Sequence, residues 1–172
     1  MSESPEGENT EPSARPLLAV DVDGVISLFD FDELPERESV RWELVDGIVH
    51  CISLAAGERL RRLADAFELV WATGWEERAN DYLPRILGLP ELPFLEFDGA
   101  ARFGTAHWKL GPLTDYAGER PLAWVDDSFD ESCFEWAEGR EAPTLLVPTE
   151  HHLGLEEAQT EALLSWATEL AP

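Results

Sequence analysis

The sequence predicts an α/β protein in which a parallel sheet is covered by helices on both faces. Short apolar runs alternate with amphipathic segments along the chain, a pattern typical of parallel strands joined by crossover helices. The 172 residues, 44% of them hydrophobic, suffice for one domain with a full core. We expect a disordered acidic tail over residues 1–16 and a single domain over 17–172.

The first strand is predicted over 17–22, a buried apolar run that follows Pro16. Residues 27–38 mix acids with phenylalanines and indicate an excursion from the sheet. In 40–53, apolar segments flank Asp46-Gly47, which is a strong hairpin signal. The sequence therefore predicts a small β-hairpin insertion, at about 27–56, after the first strand.

The remainder continues the alternation of strands and helices. Apolar spacing predicts helices over 55–67, 75–89, 129–140 and 155–170, and strands over 68–73, 121–128 and 143–149. We expect Pro84 to interrupt the second helix, and Gly88 and Gly139 to end the second and third. Residues 90–108 are less regular, with a short strand and a turn in "LPFLEFDG".

Composition and charge argue against some ligands and locations. The formal net charge of −24 repels polyanions and disfavours binding of long nucleic acid, although a bound divalent cation would reverse the sign locally. No apolar stretch approaches the ~20 residues of a membrane span, and the N-terminus lacks a signal-peptide pattern, so we expect no membrane and a cytoplasmic location. Cys51 and Cys133 are interpreted as small packing residues, since a disulfide is disfavoured in a cytosolic chain.

Polar residues gather where the predicted strands end. Because the carboxyl ends of parallel strands meet at one edge of the sheet, we expect these residues to share a site: Asp21, Asp23, Thr73, Gly74, Asp126 and Asp127. Oxygen ligands without histidine or cysteine suit Mg²⁺, which commonly binds together with a substrate phosphate. A hydroxyl and a glycine in one loop suit a phosphate oxygen, and Lys109, the only lysine, could offset phosphoryl charge.

The spacing of the first two aspartates suggests a division of labour. In an extended chain Asp21 and Asp23 point to the same side, while Val22 faces the core. One carboxylate can then attack phosphorus while the other protonates the leaving oxygen. Gly24 releases the chain from the strand.

Four segments in order resemble the motifs of the haloacid dehalogenase (HAD) superfamily of aspartate-nucleophile phosphohydrolases. They are "DVDGV" at Asp21, "LVWAT" at Thr73, "HWKLG" at Lys109 and "AWVDDS" at Asp126. The resemblance covers roughly residues 17–150 and implies a three-layer, Rossmann-like core. "WATGWEERAN" and "RPLAWVDDS" are also similar to a small actinobacterial HAD group related to the HAD domains of RNA-repair proteins.

The resemblance implies a role for each matching residue. Asp21 would form an aspartyl-phosphate and bind Mg²⁺, and Asp23 would act as general acid and base, with its backbone carbonyl on the metal. Thr73 and Lys109 would hold the phosphoryl group. Asp127 would be the direct metal ligand of the acid pair, with Asp126 a neighbour or a partner of a metal-bound water.

Several alternatives stay open at this point. Arg102 could replace Lys109 as the third motif, and Arg78 or Arg85 could hold phosphate instead. Trp75 either packs over the edge of the site or stacks on a base or sugar, and His107 lies close enough along the chain to reach substrate.

The function also has alternatives. A small cap leaves a HAD site open, which suits a large substrate or closure by oligomerisation. Since long nucleic acid is disfavoured, we expect a small phosphorylated substrate or a phosphorylated terminus. A non-catalytic HAD-fold module, or a phosphotransferase to an acceptor other than water, are the competing interpretations.

Overall fold

The structure, a computed structural model, describes residues 15–99 and 104–172. The strands in these ranges, in chain order, are β1 (Leu17–Val20), β2 (Ser27–Leu28), β3 (Val40–Val45), β4 (Ile48–Ser53), β5 (Glu68–Trp71), β6 (Leu122–Asp126) and β7 (Thr144–Pro148). The helices are α1 (Leu54–Leu63), α2 (Ala79–Leu87), α3 (Leu110–Ala117), α4 (Glu131–Gly139) and α5 (Glu157–Leu170). Single 3-10 turns occupy Arg37–Ser39, Glu76–Arg78 and Ala106–Lys109.

A four-stranded parallel sheet lies between two layers of helices, as the sequence predicts. Its strand order is β5-β1-β6-β7, so β1 pairs with β5 on one side and with β6 on the other. Leu18 and Val20 of β1 pack into the core beneath α1, α2 and α5, whereas Leu17 and Ala19 pack into the core beneath α3 and α4. Each fully buried leucine contributes about 1.5–3 kcal/mol to stability. Alternate residues of one strand thus hold both layers to the sheet.

The predicted hairpin is present and belongs to a second sheet. The antiparallel strands are ordered β2-β4-β3, and β3 joins β4 through Asp46 and Gly47. Both turn residues have positive φ, 49° and 83°, as a two-residue turn that matches strand twist requires. Trp42 and Leu44 on β3 are exposed. This small sheet follows β1 directly, so it stands beside the carboxyl end of the main sheet.

Several predicted boundaries are wrong. The first strand ends at Val20, before Asp21, and α1 ends at Leu63. Pro84 does not interrupt α2, since only the bond to the carbonyl of Asn80 is lost and the Pro84 carbonyl accepts the Leu89 N–H at 3.1 Å. The helix ends at Gly88 in the left-handed conformation, as predicted. The predicted strand in 92–99 is reduced to one parallel bridge between Phe94 and Trp71.

Other predictions concern cysteines, membranes and the tail. Cys51 and Cys133 are free and buried, in agreement with the interpretation of both as small packing residues. None of the described helices combines the length and apolarity that crossing a bilayer requires. Residues 1–14 of the predicted tail and Arg102 lie outside the described residues.

Candidate active site

Three carboxylates converge at the carboxyl end of the parallel sheet. Asp21 follows β1 and Asp126 ends β6, and the two strands are paired so that Val20 lies opposite Val125. The Asp21 N–H extends this ladder by donating to the Val125 carbonyl at 3.1 Å. Asp21, Asp126 and Asp127 each place a carboxylate oxygen within 4.8 Å of the others. The topology therefore brings together acids that are more than 100 residues apart in sequence.

Lys109 lies in the middle of this cluster. Its Nζ is 3.0 Å from Asp21 Oδ1 and 2.6 Å from Asp126 Oδ2, and the side chain is only 4% exposed. The 3-10 turn that carries it is held by the Ala106 N–H, which donates to the Ser128 carbonyl at 2.8 Å. The candidate residue of the third motif thus contacts carboxylates of the first and the fourth.

Burial sets the electrostatics of the cluster. Burial raises the pKa of Asp21 well above its ordinary value, against the opposing charge of Lys109. Burial also raises the pKa of Asp127, with the charge of Asp126 acting in the same direction. Burial alone would lower the pKa of Lys109, but Asp21 and Asp126 outweigh it and raise that pKa. Three carboxylates share one ammonium, so the ionised site has a surplus of negative charge that a cation would relieve.

The carboxylates of the neighbouring residues Asp126 and Asp127 accept different hydrogen bonds. Asp126 accepts from Lys109 through Oδ2 and from the Ser128 N–H through Oδ1 at 3.0 Å. Asp127 accepts the Ser128 hydroxyl through Oδ1 at 3.0 Å, and Oδ2 has no hydrogen-bond partner among the described residues. Asp127 is therefore better placed to ligate a metal. Its carboxylate and that of Asp21 are the hard oxygen donors that Mg²⁺ prefers, so the residues present fit this ion.

Gly24 provides the space that Asp127 occupies. A Cβ at this position would lie 2.0 Å from Asp127 Oδ2, and the residue has φ +81°. The Gly24 carbonyl accepts the buried Thr149 hydroxyl at 2.8 Å. Only glycine fits this turn without moving Asp127.

Asp23 lies at the rim of the site. Its side chain is 53% exposed, whereas Val22 beside it is fully buried, as the alternation predicts. Asp23 Oδ2 accepts the indole N–H of Trp75 at 3.1 Å. Asp21 is therefore the buried member of the pair, and Asp23 is accessible to solvent.

The segment after β5 contributes Gly74 and Trp75. Thr73 is buried, and its hydroxyl oxygen accepts the Trp75 N–H at 3.2 Å. Its role as a phosphate ligand stays a prediction, because its side chain stabilises this turn and does not line the cavity. The cavity has a volume of about 360 Å³. Its lining includes the other six predicted site residues: Asp21, Asp23, Gly74, Lys109, Asp126 and Asp127.

The alternative phosphate ligands are engaged elsewhere. Arg78 pairs with Asp46 of the hairpin turn, and Arg85 lies 3.4 Å from Glu43 of β3. His107 Nδ1 shares a 2.6 Å hydrogen bond with Ser132. Among the described basic residues, Lys109 is the one that lines the cavity.

His50 is not among the predicted site residues, although its Nδ1 lies 3.8 Å from Asp23 Oδ1. Alternation along β4 places His50 on the same face as the buried Ile52. This position in the sequence indicates that the His50 side chain points inward rather than to solvent. Phe29 also lines the cavity, from the segment predicted to leave the sheet.

Comparisons with known proteins add little. No protein-family model matches the chain, and no curated protein sequence matches it. A solved structure of a hypothetical protein from Xanthomonas campestris shares 12% identity, with 91% of this chain and 85% of that chain covered and a TM-score of 0.48. This similarity supports no statement about activity.

Proposed function

We propose that the protein is a Mg²⁺-dependent phosphomonoester hydrolase of the HAD type. The observation that carries this proposal is the contact of Lys109 with Asp21 and Asp126, beside Asp127, in a cavity open to solvent. This is the arrangement that the order of motifs in the sequence leads us to expect. A buried lysine, a buried nucleophile candidate and spare carboxylate oxygens together suit an anionic substrate bound with a cation.

In this proposal Asp21 is the nucleophile. Its carboxylate attacks phosphorus, and the bond from phosphorus to the leaving oxygen breaks, which gives an aspartyl-phosphate. Lys109 favours the ionised form of Asp21 and offsets charge on the phosphoryl oxygens. Gly74 lines the cavity without a side chain, so a phosphoryl group can approach the backbone closely.

Mg²⁺ would be held by Asp21, Asp127 and the backbone carbonyl of Asp23. When bound, the ion supplies positive charge to the phosphoryl oxygens. Asp126 would keep Lys109 in place rather than ligate the metal directly, because both of its oxygens accept hydrogen bonds. Relief of the negative surplus would also favour the ionised form of Asp21.

Asp23 would exchange protons with the substrate. In the first step its carboxyl proton goes to the leaving oxygen, and in the second it takes a proton from the water that attacks the aspartyl-phosphate. The half-exposed position at the rim suits this role, since both the leaving group and water reach the cavity from solvent.

The substrate class follows from access and charge. The small sheet of β2, β3 and β4 is the only insertion beside the site in the described chain, so a phosphorylated terminus or a small phosphorylated compound can enter. The net charge of −24 opposes long nucleic acid. A cytoplasmic location is part of the proposal, and the two free thiols are consistent with it.

The direct test compares hydrolysis of p-nitrophenyl phosphate with Mg²⁺ by wild type and Asp21→Asn. We expect the variant to lose at least about 1,000-fold in kcat, because the nucleophile is removed. Asp115→Asn, the same change at an exposed position of α3, is the matched control and should retain the wild-type rate. If Asp21→Asn kept most of the rate, the assignment of the nucleophile would be wrong.

The competing functions have distinct outcomes in a wider screen of nucleotides, sugar phosphates and phosphopeptides. Mg²⁺ binding without turnover of any of them would indicate a non-catalytic module. Release of inorganic phosphate that falls short of substrate loss would indicate transfer to another acceptor.

A further inference from the structure

The carboxylate of Asp23 is held by residues from two other parts of the fold. Trp75, directly after Gly74, donates its indole N–H to Asp23 Oδ2 at 3.1 Å. His50 of β4 packs its ring against Trp75, with centroids 4.7 Å apart and planes at 67°. The loop after β5 and the small antiparallel sheet therefore meet at this one acid.

Ser27 closes the set of contacts. Its hydroxyl shares a 2.8 Å hydrogen bond with His50 Nδ1, and its carbonyl accepts the Gly24 N–H at 2.8 Å. Ser27 is itself buried, so its position is fixed by the fold. Asp23, Trp75, His50 and Ser27 thus form a closed chain of contacts that begins and ends in the turn after β1.

We propose that Trp75 is a positioning residue that fixes which oxygen of Asp23 exchanges the proton. An indole N–H can only donate, so the oxygen it contacts, Oδ2, must act as an acceptor. Asp23 Oδ1 lies 3.8 Å from His50 Nδ1, beyond hydrogen-bond distance, and is the oxygen left for the substrate. This inference rests on the proposed function and adds to it three residues outside the HAD motifs, namely Trp75, His50 and Ser27.

Both proton transfers then take place at one atom, Asp23 Oδ1. The proton on Asp23 Oδ1 passes to the leaving oxygen as its bond to phosphorus breaks, and Oδ1 later takes a proton from the attacking water. Throughout, Oδ2 keeps the hydrogen bond from Trp75. His50 and Ser27 act on Asp23 only indirectly. His50 packs against the indole ring of Trp75, and Ser27 holds His50 in place.

The kinetic test uses leaving groups of different quality. Trp75→Phe keeps an aromatic ring at this position but removes the N–H, so it should lower kcat on an alkyl phosphate by about 10- to 100-fold, a part of what general acid catalysis supplies. On p-nitrophenyl phosphate, whose leaving group needs little protonation, the loss should stay below about threefold. Trp136→Phe removes an indole hydrogen bond to Thr114, outside the cavity, and should leave both rates unchanged.

Two further measurements separate positioning from a structural role. In an Asp23→Ala background, Trp75→Phe should lower the alkyl phosphate rate no further, because its partner is gone. In the NMR spectrum, Asp23→Ala should shift the indole N–H signal of Trp75 and leave that of the remote Trp136 in place, whether or not the variant is active.

Each contrary outcome has a distinct meaning. Equal losses on both substrates, a further loss in the Asp23→Ala background, or an unmoved Trp75 signal would each overturn the positioning role and leave the proposed function intact. Absence of Asp21-dependent phosphatase activity in the wild-type protein would overturn the proposed function and this inference with it.

Discussion

Replacement of Lys109 by methionine should destabilise the fold strongly. The change keeps most of the length and the apolar part of the side chain but removes the only cation in contact with Asp21 and Asp126 among the described residues. The side chains of the two acids are only 9% and 1% exposed, so water compensates poorly for the lost partner. Breaking a buried ion pair by removing one member costs about 3–5 kcal/mol.

The expected loss for Lys109→Met can be compared with the total free energy of unfolding of the domain. A domain of this size unfolds with a free energy of about 5–15 kcal/mol, so Lys109→Met should still fold in water at low temperature. Since 1 kcal/mol shifts the Tm of such a domain by about 2–4 °C, we expect a fall of about 6–20 °C. Urea unfolding without divalent cations, followed by tryptophan fluorescence, measures the free energy directly.

Two variants make the comparison specific. Arg62→Met removes a cation that pairs with Glu157 at the surface, where both side chains are 48% exposed, and it should cost less than about 1 kcal/mol. Lys109→Met combined with Asp126→Asn should recover part of the loss, because one fewer buried carboxylate is left unpaired. A free energy of unfolding for Lys109→Met within about 1 kcal/mol of wild type would refute the argument from burial.

The site makes three other predictions. Gly24→Ala should destabilise the protein by about 1–3 kcal/mol and weaken Mg²⁺ binding measured by calorimetry, because the new Cβ would lie 2.0 Å from Asp127 Oδ2. Gly111→Ala is the control: nothing lies within 4 Å of its new Cβ, so this change should be neutral or stabilising. Mg²⁺ at 100 times its Kd should stabilise wild type by about 2.7 kcal/mol in thermal melts, and Asp127→Asn should reduce this gain. Because burial raises the pKa of Asp21 in the folded state, the stability that its protonation contributes is lost as pH rises above about 4. Metal-free wild type should show this loss in urea titrations, and Asp21→Asn should show a smaller one, since the pKa of Asp127 is raised as well.

The sheet and its strand ends could be predicted because both depend on local patterns. Apolar runs indicate strands, and a parallel arrangement places whatever follows them at one edge. Asp21, Asp126 and Asp127 therefore meet as expected. The hairpin followed equally from Asp46-Gly47, whose positive φ values only a few residue types adopt readily.

The surroundings of Asp23 could not be predicted, because they depend on how two sheets are placed in three dimensions. His50 reaches the site only through the pairing of β4 with β2, and no spacing along the chain specifies that contact. For Thr73 the position at the end of a strand could be predicted, but the hydrogen bond of its hydroxyl could not. Its residue type suits a phosphate, but in the structure it accepts a bond from the backbone of its own turn.

The burial of Lys109 makes it a chemical reporter of opening of the fold. It is the only lysine in the 172-residue sequence, and its ammonium is enclosed by Asp21 and Asp126. An amine-directed reagent should therefore modify this side chain mainly during excursions in which its contacts with Asp21 and Asp126 break. The rate of mass gain at one peptide would then count those openings, without a dye, an engineered label or knowledge of the substrate.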